Sequence, residues 1–169
     1  GSRLGNPKPK PLTPLSNGET ILERQIKNIT KFLSIDDIYV IVGFKKDIIM
    51  EEFPEVSYVF NNIYDQTNTS KSLIRGLKKT VGHDVLWMNG DVVFDEDVLQ
   101  RVLDYNDSCM AVNTMSVGDE EVKYNVNKNG CIKEVSKTVL KPLGESVGIN
   151  KIIAKEIPKF IKMLDKCED

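Results

Sequence analysis

Histidine and cysteine are scarce in this chain, and their scarcity excludes several kinds of chemistry. The 169 residues contain one histidine, His83, and three cysteines, Cys109, Cys131 and Cys167. Ser-His and Cys-His nucleophilic catalysis is excluded unless His83 itself serves, and its Gly-His-Asp context predicts a solvated turn. Three widely spaced cysteines without a C-x-x-C pair disfavour both a disulfide framework and a zinc site. We therefore expect reduced thiols in a cytoplasmic protein.

Long apolar runs and an excess of one charge are also missing. The longest apolar runs, such as residues 38–42, are far below the roughly 18 residues that a membrane span requires. The formal net charge of −2 gives no electrostatic argument for a nucleic-acid or membrane partner. The length predicts one domain over residues 1–169, because a domain typically has roughly 100 to 200 residues. The sequence favours no particular oligomeric state.

Residues 84–95 combine an apolar run with a carboxylate at its end. The run at residues 85–88, followed by Asn89-Gly90-Asp91, predicts a strand buried on both faces of a parallel sheet. Gly90 would let a bulky ligand approach the backbone closely. Ligands of open α/β sheets bind at the carboxyl ends of strands, and a carboxylate at Asp91 suits Mg²⁺. The alternative is an ordinary turn, since Asn-Gly and Gly-Asp are common turn pairs.

Hydrophobic periodicity divides the rest of the chain into helices and strands. Helices are predicted over residues 20–33, 46–53, 70–80, 95–105 and 156–167. Strands are predicted over residues 38–42, 56–60, 85–88, 110–115, 121–126, 131–135 and 147–153. The alternation up to residue 88 predicts a mainly parallel sheet covered by helices, and the Asn-Gly pair at residues 129–130 predicts a later antiparallel hairpin. Alternate prolines over residues 7–14 predict a stiff extended loop that displays Lys8 and Lys10.

Several motifs, in this order, resemble those of the sugar-nucleotide and phosphocholine nucleotidyltransferases. They are Gly-Ser-Arg-Leu at residues 1–4, Pro-Lys-Pro-Leu at residues 9–12, Ile-Leu-Glu-Arg-Gln at residues 21–25, the polar stretch at residues 61–73 and Asn-Gly-Asp at residues 89–91. The chain is most similar to the CTP:phosphocholine cytidylyltransferase-like branch. The resemblance implies a Rossmann-like three-layer α/β sandwich with a mainly parallel central sheet and a small antiparallel hairpin on the acceptor side.

The same resemblance implies that further segments belong to the domain. The first strand of the family should precede Gly1, and its second metal-binding aspartate should follow Asp169. We therefore expect residues 1–169 to be part of a longer protein.

The activity implied by the resemblance is transfer of a nucleotidyl group, with CTP as the favoured NTP, to a phosphorylated alcohol or sugar. Such a transfer joins two polyanions, so the enzyme must align them and neutralise their charge. Arg3 would bind the departing pyrophosphate, Lys10 would neutralise the α-phosphate, and Asp91 would hold Mg²⁺. Nucleotide binding would involve backbone amides or polar side chains at Gly1, Ser2, Gln66, Thr67, Asn68, Ser72, Asn89 and Gly90.

The acceptor would meet residues of the hairpin region and the Gly-Glu-x-x-Gly segment at residues 144–148. The resemblance assigns this role to Lys123, Lys137, Glu145 and Gly148. Taken alone, the two lysines are charges near a hairpin. Trp87 and Tyr124 would suit a choline cage through cation-π contacts, although a tryptophan inside an apolar strand fits a core position better. Among the polar residues near the third helix, Thr69 or Ser70 is expected to be its N-cap.

Two other classes of protein remain as alternatives. A glycosyltransferase of related sheet architecture would use Asp91 and Asp95 as its metal-binding acids, although three residues separate them rather than one. A catalytically inactive nucleotide-binding regulatory domain would keep the sheet without the second metal ligand.

Overall fold

The computed structural model describes residues 8–115 and 117–166, so Gly1, Ser2 and Arg3 lie outside the described residues. The helices are α1 Ile21–Ile29, α2 Lys46–Glu52, α3 Thr69–Leu77, α4 Glu96–Asp104 and α5 Ile157–Asp165. The strands are β1 Tyr39–Val42, β2 Ser57–Phe60, β3 Val85–Met88, β4 Cys109–Asn113, β5 Lys123–Val126, β6 Ile132–Ser136 and β7 Gly144–Ile152. Every predicted helix and strand is present in the predicted order, with ends that differ by a few residues.

Strand pairing corrects the prediction of a mainly parallel sheet. Within the described ranges, parallel pairing joins β1 to β2 in a two-stranded sheet, whereas the other five strands form an antiparallel sheet. Strand β3 pairs antiparallel with β7, from Val85 opposite Ile152 to Met88 opposite Ile149. The local sequence of β3 does not reveal this partner, which follows more than 50 residues later. The fold is mixed α/β, and the complete three-layer arrangement stays a prediction.

Helices cover both faces of the sheet around β7. Ile149 packs with Leu99 of α4, and both side chains are fully buried. Ile152 packs with Leu77 of α3 and Ile157 of α5. Since side chains alternate along a strand, residues 149 and 152 face opposite sides of the sheet. This packing fixes the end of β3, where the candidate site begins.

A third hydrophobic cluster joins the proline-rich segment to α1. Leu12 is 3% exposed and packs with Leu22 and Ile26 of α1. Helix α1 begins with a capping box, in which Thr20 and Glu23 exchange side-chain-to-backbone hydrogen bonds. The cap confirms the predicted start of the helix at Thr20. The segment that carries Lys10 therefore packs on a helix whose first turn is well defined.

The hairpin of β5 and β6 is present as predicted. Its turn is closed by the Asn127 N–H, which donates to the Cys131 carbonyl at 2.8 Å, and Gly130 has a positive φ of 78°.

In the part of the chain that the structure covers, no helix is long and apolar enough to span a bilayer.

Candidate active site

Lys10 and Asp91 meet at the end of β3, although 81 positions separate them in the chain. The Lys10 Nζ atom lies 3.1 Å from Asp91 Oδ2, and the two side chains are 54% and 44% exposed. An exposed ion pair of this kind stabilises a fold by about 0–1 kcal/mol. The pair therefore contributes little to folding, and both groups are accessible to a ligand. The structure thus brings together two of the three charged residues that were predicted to converge.

The segment around Lys10 is a short turn rather than the predicted extended loop. Lys10–Leu12 form one turn of 3-10 helix, in which the Leu12 N–H donates to the Pro9 carbonyl at 3.0 Å. A proline is compatible with such a turn because its ring restricts φ to values near those of a helix. The buried Leu12 side chain anchors this turn, so Lys10 projects from a fixed position.

Gly90 provides room for close approach, but the neighbour is part of this chain. A Cβ atom at position 90 would lie 3.1 Å from Pro11 Cγ. In the structure the close neighbour of Gly90 is the ring of Pro11, and close approach of a ligand stays a prediction. This contact explains how Lys10, the neighbour of Pro11, comes to lie beside Asp91.

Residues 89–92 form a turn that carries Asp91 on a fixed backbone. The Val92 N–H points to the Asn89 carbonyl at 3.3 Å, and the Asn89 N–H donates to the Gly148 carbonyl at 2.9 Å. The Gln25 side chain donates to the Asn89 and Val92 carbonyls at 2.9 and 2.7 Å. The turn alternative and the site interpretation are therefore compatible. Sequence reasoning did not single out Gln25, whose signal is an amide on the buried face of α1.

Asn89 and Gly148, predicted to contact the nucleotide and the acceptor respectively, lie against each other. Gly148 has a φ of +77°, and a Cβ atom there would lie 2.6 Å from the Asn89 amide nitrogen. Because residue 148 is a glycine, the Asn89 side chain can pack directly against the backbone of β7.

The predicted base-reading loop is organised by Asn61, which begins the motif stretch at residues 61–73 but was given no role of its own. Asn61 is 1% exposed, and its amide nitrogen donates to Ser72 Oγ at 2.9 Å and to Thr67 Oγ1 at 3.4 Å. Its side-chain oxygen accepts from the Ile63 N–H at 3.2 Å. Its signal is a polar residue that directly follows the apolar strand β2. Two of the predicted loop residues are therefore tied to one buried amide.

Asn68 is the N-cap of α3, which corrects the prediction of Thr69 or Ser70. Its side-chain oxygen accepts from the Ser70 N–H at 2.9 Å, and the helix starts at Thr69. An asparagine oxygen satisfies the otherwise unpaired N–H groups of a first turn. Gln66, the remaining residue of this predicted set, is exposed.

The predicted acceptor lysines are held by the hairpin itself. Lys123 Nζ donates to the carbonyls of Asp119 and Lys137 at 3.4 and 3.2 Å. Lys137 Nζ lies 3.3 Å from a carboxylate oxygen of Glu120, and both of these side chains are more than half exposed. Glu145 lies opposite Lys123 on β7 and accepts from Asn113 Nδ2 at 2.9 Å. The structure thus joins Lys123, Lys137 and Glu145 in one hairpin region.

Three residues that were considered for the site pack in the fold or lie in a turn instead: Trp87, Tyr124 and His83. The ring of Trp87 packs against Phe160 of α5, with 5.5 Å between the ring centroids. Tyr124 is 6% exposed. Trp87 is partly buried and packs against the core cluster around Leu77, as the core interpretation requires, and the burial of Tyr124 disfavours the choline cage. His83 lies in an exposed turn, as predicted.

The donor chemistry at Asp91 fits a magnesium ion with few protein ligands. Among the residues that the structure describes, no three histidine, cysteine or carboxylate side chains form a group that could hold a metal. Mg²⁺ commonly uses one or two carboxylates and completes its shell with water and substrate phosphates. The half-exposed Asp91 carboxylate meets that requirement. Asp95 instead lines a polar recess with Arg24, Asn28, Lys31, Glu96 and Asp97.

A cavity of about 700 Å³ lies away from this pair, between β2 and α3. Its lining includes Thr67 and Tyr58 but neither Lys10 nor Asp91. Tyr58 donates to the carbonyls of Ile49 and Phe53, and burial raises the pKa of its phenol. The charged pair at the end of β3 therefore lies outside this cavity.

Curated relatives match most of this chain. No family model matches it. The bifunctional protein GlmU of Methanococcus maripaludis strain C5 is 31% identical over 150 residues, which cover 87% of this chain and 34% of the relative. The CMP-5'-(3-aminopropyl)phosphonate synthase of Streptomyces rubellomurinus is 32% identical over 111 residues, or 60% of this chain and 17% of the relative. The chain thus spans about a third of the length of GlmU.

Solved structures share the fold. The CTP:phosphocholine cytidylyltransferase LicC of Streptococcus pneumoniae has a TM-score of 0.66 at 19% identity, covering 98% of this chain and 70% of LicC. The inositol-1-phosphate CTP transferase of T. maritima has a TM-score of 0.73 at 15% identity, covering 92% and 66%. The architecture is therefore that of the nucleotidyltransferases. With the sequence relatives, it confirms the resemblance of the motifs to the sugar-nucleotide and phosphocholine nucleotidyltransferase superfamily.

Proposed function

We propose that this protein transfers a nucleotidyl group from an NTP to a phosphorylated alcohol or sugar and releases pyrophosphate. The observation that carries the proposal is the contact between Lys10 and Asp91 at the end of β3, with 3.1 Å between Nζ and Oδ2. CTP is the favoured donor, since the names of two structural neighbours specify CTP as a substrate. A cation and a carboxylate that are accessible side by side support this reaction class.

The reaction requires charge neutralisation and alignment. The acceptor phosphate attacks the α-phosphorus, the bond to the pyrophosphate breaks, and negative charge accumulates on the oxygens around the α-phosphorus. Lys10 would exchange its contact with Asp91 for one with the α-phosphate, where its positive charge stabilises the transition state. Arg3 would bind the departing pyrophosphate through two parallel hydrogen bonds.

Asp91 would hold Mg²⁺ through its carboxylate, and the bound ion would supply Lewis-acid stabilisation of the phosphate oxygens. The turn at residues 89–92 sets the position of that carboxylate before any substrate binds. Preorganised charge is effective in catalysis because it requires no rearrangement during the reaction.

The polar loop between β2 and α3 would recognise the base. Gln66 is exposed, and the hydroxyl group of Ser72 keeps its hydrogen available while it accepts from Asn61. Amide and hydroxyl groups of this kind can donate to and accept from the edge of a pyrimidine. Gly1, Ser2, Gly90 and the side chain of Asn89 would contact the triphosphate.

The hairpin region would bind the acceptor. Lys137 carries an exposed ammonium group, whereas Lys123 organises the loop ends and Glu145 faces it across the sheet. A phosphorylated acceptor would compete with Glu120 for the Lys137 ammonium, and it would reach Gly148 at the end of β3 by displacing the Asn89 side chain.

Pyrophosphate release by the full-length protein tests the proposal. Each NTP would be incubated with Mg²⁺ and with phosphocholine, inositol 1-phosphate or a sugar 1-phosphate, and pyrophosphate would be measured with a coupled assay. We expect release that requires both substrates and is fastest with CTP. Sugar transfer from a nucleotide sugar without pyrophosphate release would favour the glycosyltransferase alternative. Nucleotide binding without either reaction would favour the inactive regulatory domain.

A further inference from the structure

One buried amide on α1 contacts both ends of the turn that carries Asp91. Gln25 is 4% exposed. Its Nε2 atom donates to the carbonyl of Asn89 at 2.9 Å and to that of Val92 at 2.7 Å, across 64 and 67 positions of the chain. The two carbonyls bracket Gly90 and Asp91. A carboxamide nitrogen has two hydrogens, so this geometry uses its complete donor capacity.

The second buried amide of α1 makes a similar contact that does not involve Asp91. Asn28 is 2% exposed, and its Nδ2 donates to the Phe94 carbonyl at 2.9 Å. Both amides satisfy carbonyl groups that would lose hydrogen bonds if the amides were removed, at a cost of about 1–3 kcal/mol each in general. Loss of stability alone therefore does not distinguish their roles.

Helix α1 also determines where Lys10 lies. Leu12 packs on Leu22 and Ile26, which lie on the same helix as Gln25. The ammonium and the carboxylate of the candidate site are thus placed by two different contacts with one helix. Any shift of the turn at residues 89–92 relative to α1 would change the separation between Lys10 and Asp91.

We infer that Gln25 is a positioning residue, which holds the Asp91 carboxylate at the place where it binds a divalent cation and faces Lys10. The inference rests on the proposed function for the role of the cation. Gln25 itself touches neither substrate nor metal. Its effect passes through the backbone of residues 89–92, whose carbonyl groups it fixes to a helix packed in the core. Positions of this kind matter because catalytic groups must be held within about 0.5 Å of a productive geometry.

The test compares Gln25→Met with Asn28→Leu in the full-length protein. Each change removes a buried donor and keeps a side chain of similar size. Amide hydrogen exchange of Asp91 and Val92 would be measured without ligand, and Mn²⁺ binding in the presence of CTP would be measured by electron paramagnetic resonance. Thermal unfolding of both variants would show how far each is destabilised.

We expect both variants to unfold at a lower temperature, but only Gln25→Met to loosen the turn and the metal site. Exchange at Val92 should be about tenfold faster, which corresponds to about 1.4 kcal/mol. Mn²⁺ binding should be roughly 10- to 100-fold weaker, as for other residues that support a metal ligand. The same exchange rates and Mn²⁺ affinity in Gln25→Met and Asn28→Leu would overturn the inference.

Two further outcomes are distinguishable. If the wild-type protein neither binds Mn²⁺ with CTP nor releases pyrophosphate, the proposed function fails, whereas the exchange comparison still decides whether Gln25 holds the turn. If Gln25→Met does not fold, Gln25→Asn takes its place, because it keeps the amide but shortens its reach by one methylene. Exchange at Val92 as slow as in Asn28→Leu would again reject the role.

Discussion

The turn at residues 89–92 and the β5–β6 hairpin differ in how they hold their charged groups. The turn is fixed by Gln25 from α1, by the ring of Pro11 and by the Gly148 carbonyl of β7. In the hairpin, by contrast, Lys123 contacts carbonyls of nearby loops and Lys137 pairs with the exposed Glu120. One region is positioned by distant buried groups, and the other by its own neighbours at the surface.

This difference indicates that the turn and the hairpin have different roles in the proposed reaction. Charge that stabilises a transition state is most effective when the fold has positioned it in advance. An acceptor of variable shape is better met by side chains that can move at modest cost. We therefore expect substitutions near the turn to reduce kcat, and substitutions in the hairpin to raise the KM for the acceptor.

The largest effect should come from replacing the carboxylate of the turn. Asp91→Asn should lower kcat/KM by more than about 100-fold, since loss of a metal ligand exceeds the 10- to 100-fold effect of residues that only support one. Asp95→Asn is the matched control, because Asp95 precedes α4 and lines a different recess. Pyrophosphate release as a function of Mg²⁺ measures both. Equal losses in the two variants would instead support paired metal-binding acids.

The next largest effect is expected from the ammonium of Lys10. Lys10→Met should lower kcat by about 100-fold, similar to the loss of one group that stabilises transition-state charge. Its unfolding temperature should hardly change, because an exposed ion pair stabilises by at most about 1 kcal/mol. Lys8→Met, two residues earlier on the same exposed segment, should retain activity. A normal kcat in the Lys10→Met variant would contradict the proposal that the reaction takes place beside Lys10 and Asp91.

Two glycines with nearly the same backbone conformation compare the regions directly. Gly148 has a φ of 77° and would place a Cβ 2.6 Å from the Asn89 amide, whereas Gly130 of the hairpin has a φ of 78° and open space around it. Gly148→Ala should lower the free energy of unfolding by about 1–3 kcal/mol more than Gly130→Ala, because only it adds a collision to the conformational cost. Denaturant unfolding measures the difference, and equal losses would contradict a tight contact at Asn89.

The smallest effect should come from the hairpin lysine. Lys137→Met should raise the KM for the acceptor by roughly five-fold, since exchange of one exposed ionic contact is worth about 1 kcal/mol. The kcat and the KM for the NTP should change little. Lys128→Met, at the exposed tip of the same hairpin, is the control. Initial rates over a range of acceptor concentrations test this, and a fall in kcat without a change in KM would reject the acceptor role.

Much of the fold could be predicted because its signals are local. The apolar stripe of α1, its Thr20 cap and the apolar run of β3 are each visible within a few residues, and all three are present. The prediction that β3 lies in a parallel sheet was wrong, because its antiparallel pairing with β7 depends on a distant segment. The 3-10 turn at Lys10 was also missed, because alternate prolines are compatible with both an extended chain and a turn.

In the candidate site, too, some residues could be predicted from the local sequence and others could not. Motif resemblance selected Lys10 and Asp91, and the structure places them in contact. The motif stretches also contain Gln25 and Asn61, whose amides organise the two loops, but the resemblance gave neither residue a role in the site. A buried amide cannot be recognised from its neighbours in the sequence. Its partners are backbone carbonyls, which every residue has, or hydroxyl groups, which several residue types carry.

The sequence alone determined which segments become helices and strands, which turn carries a carboxylate and which superfamily the motifs resemble. These properties depend on neighbouring residues, through apolar periodicity, caps and short motifs. Only the tertiary structure decided that Pro11 packs on Gly90, that Asn89 crosses Gly148 and that α1 holds both charged partners of the site. Those contacts join residues far apart in the chain, and close packing of the whole domain is what selects them.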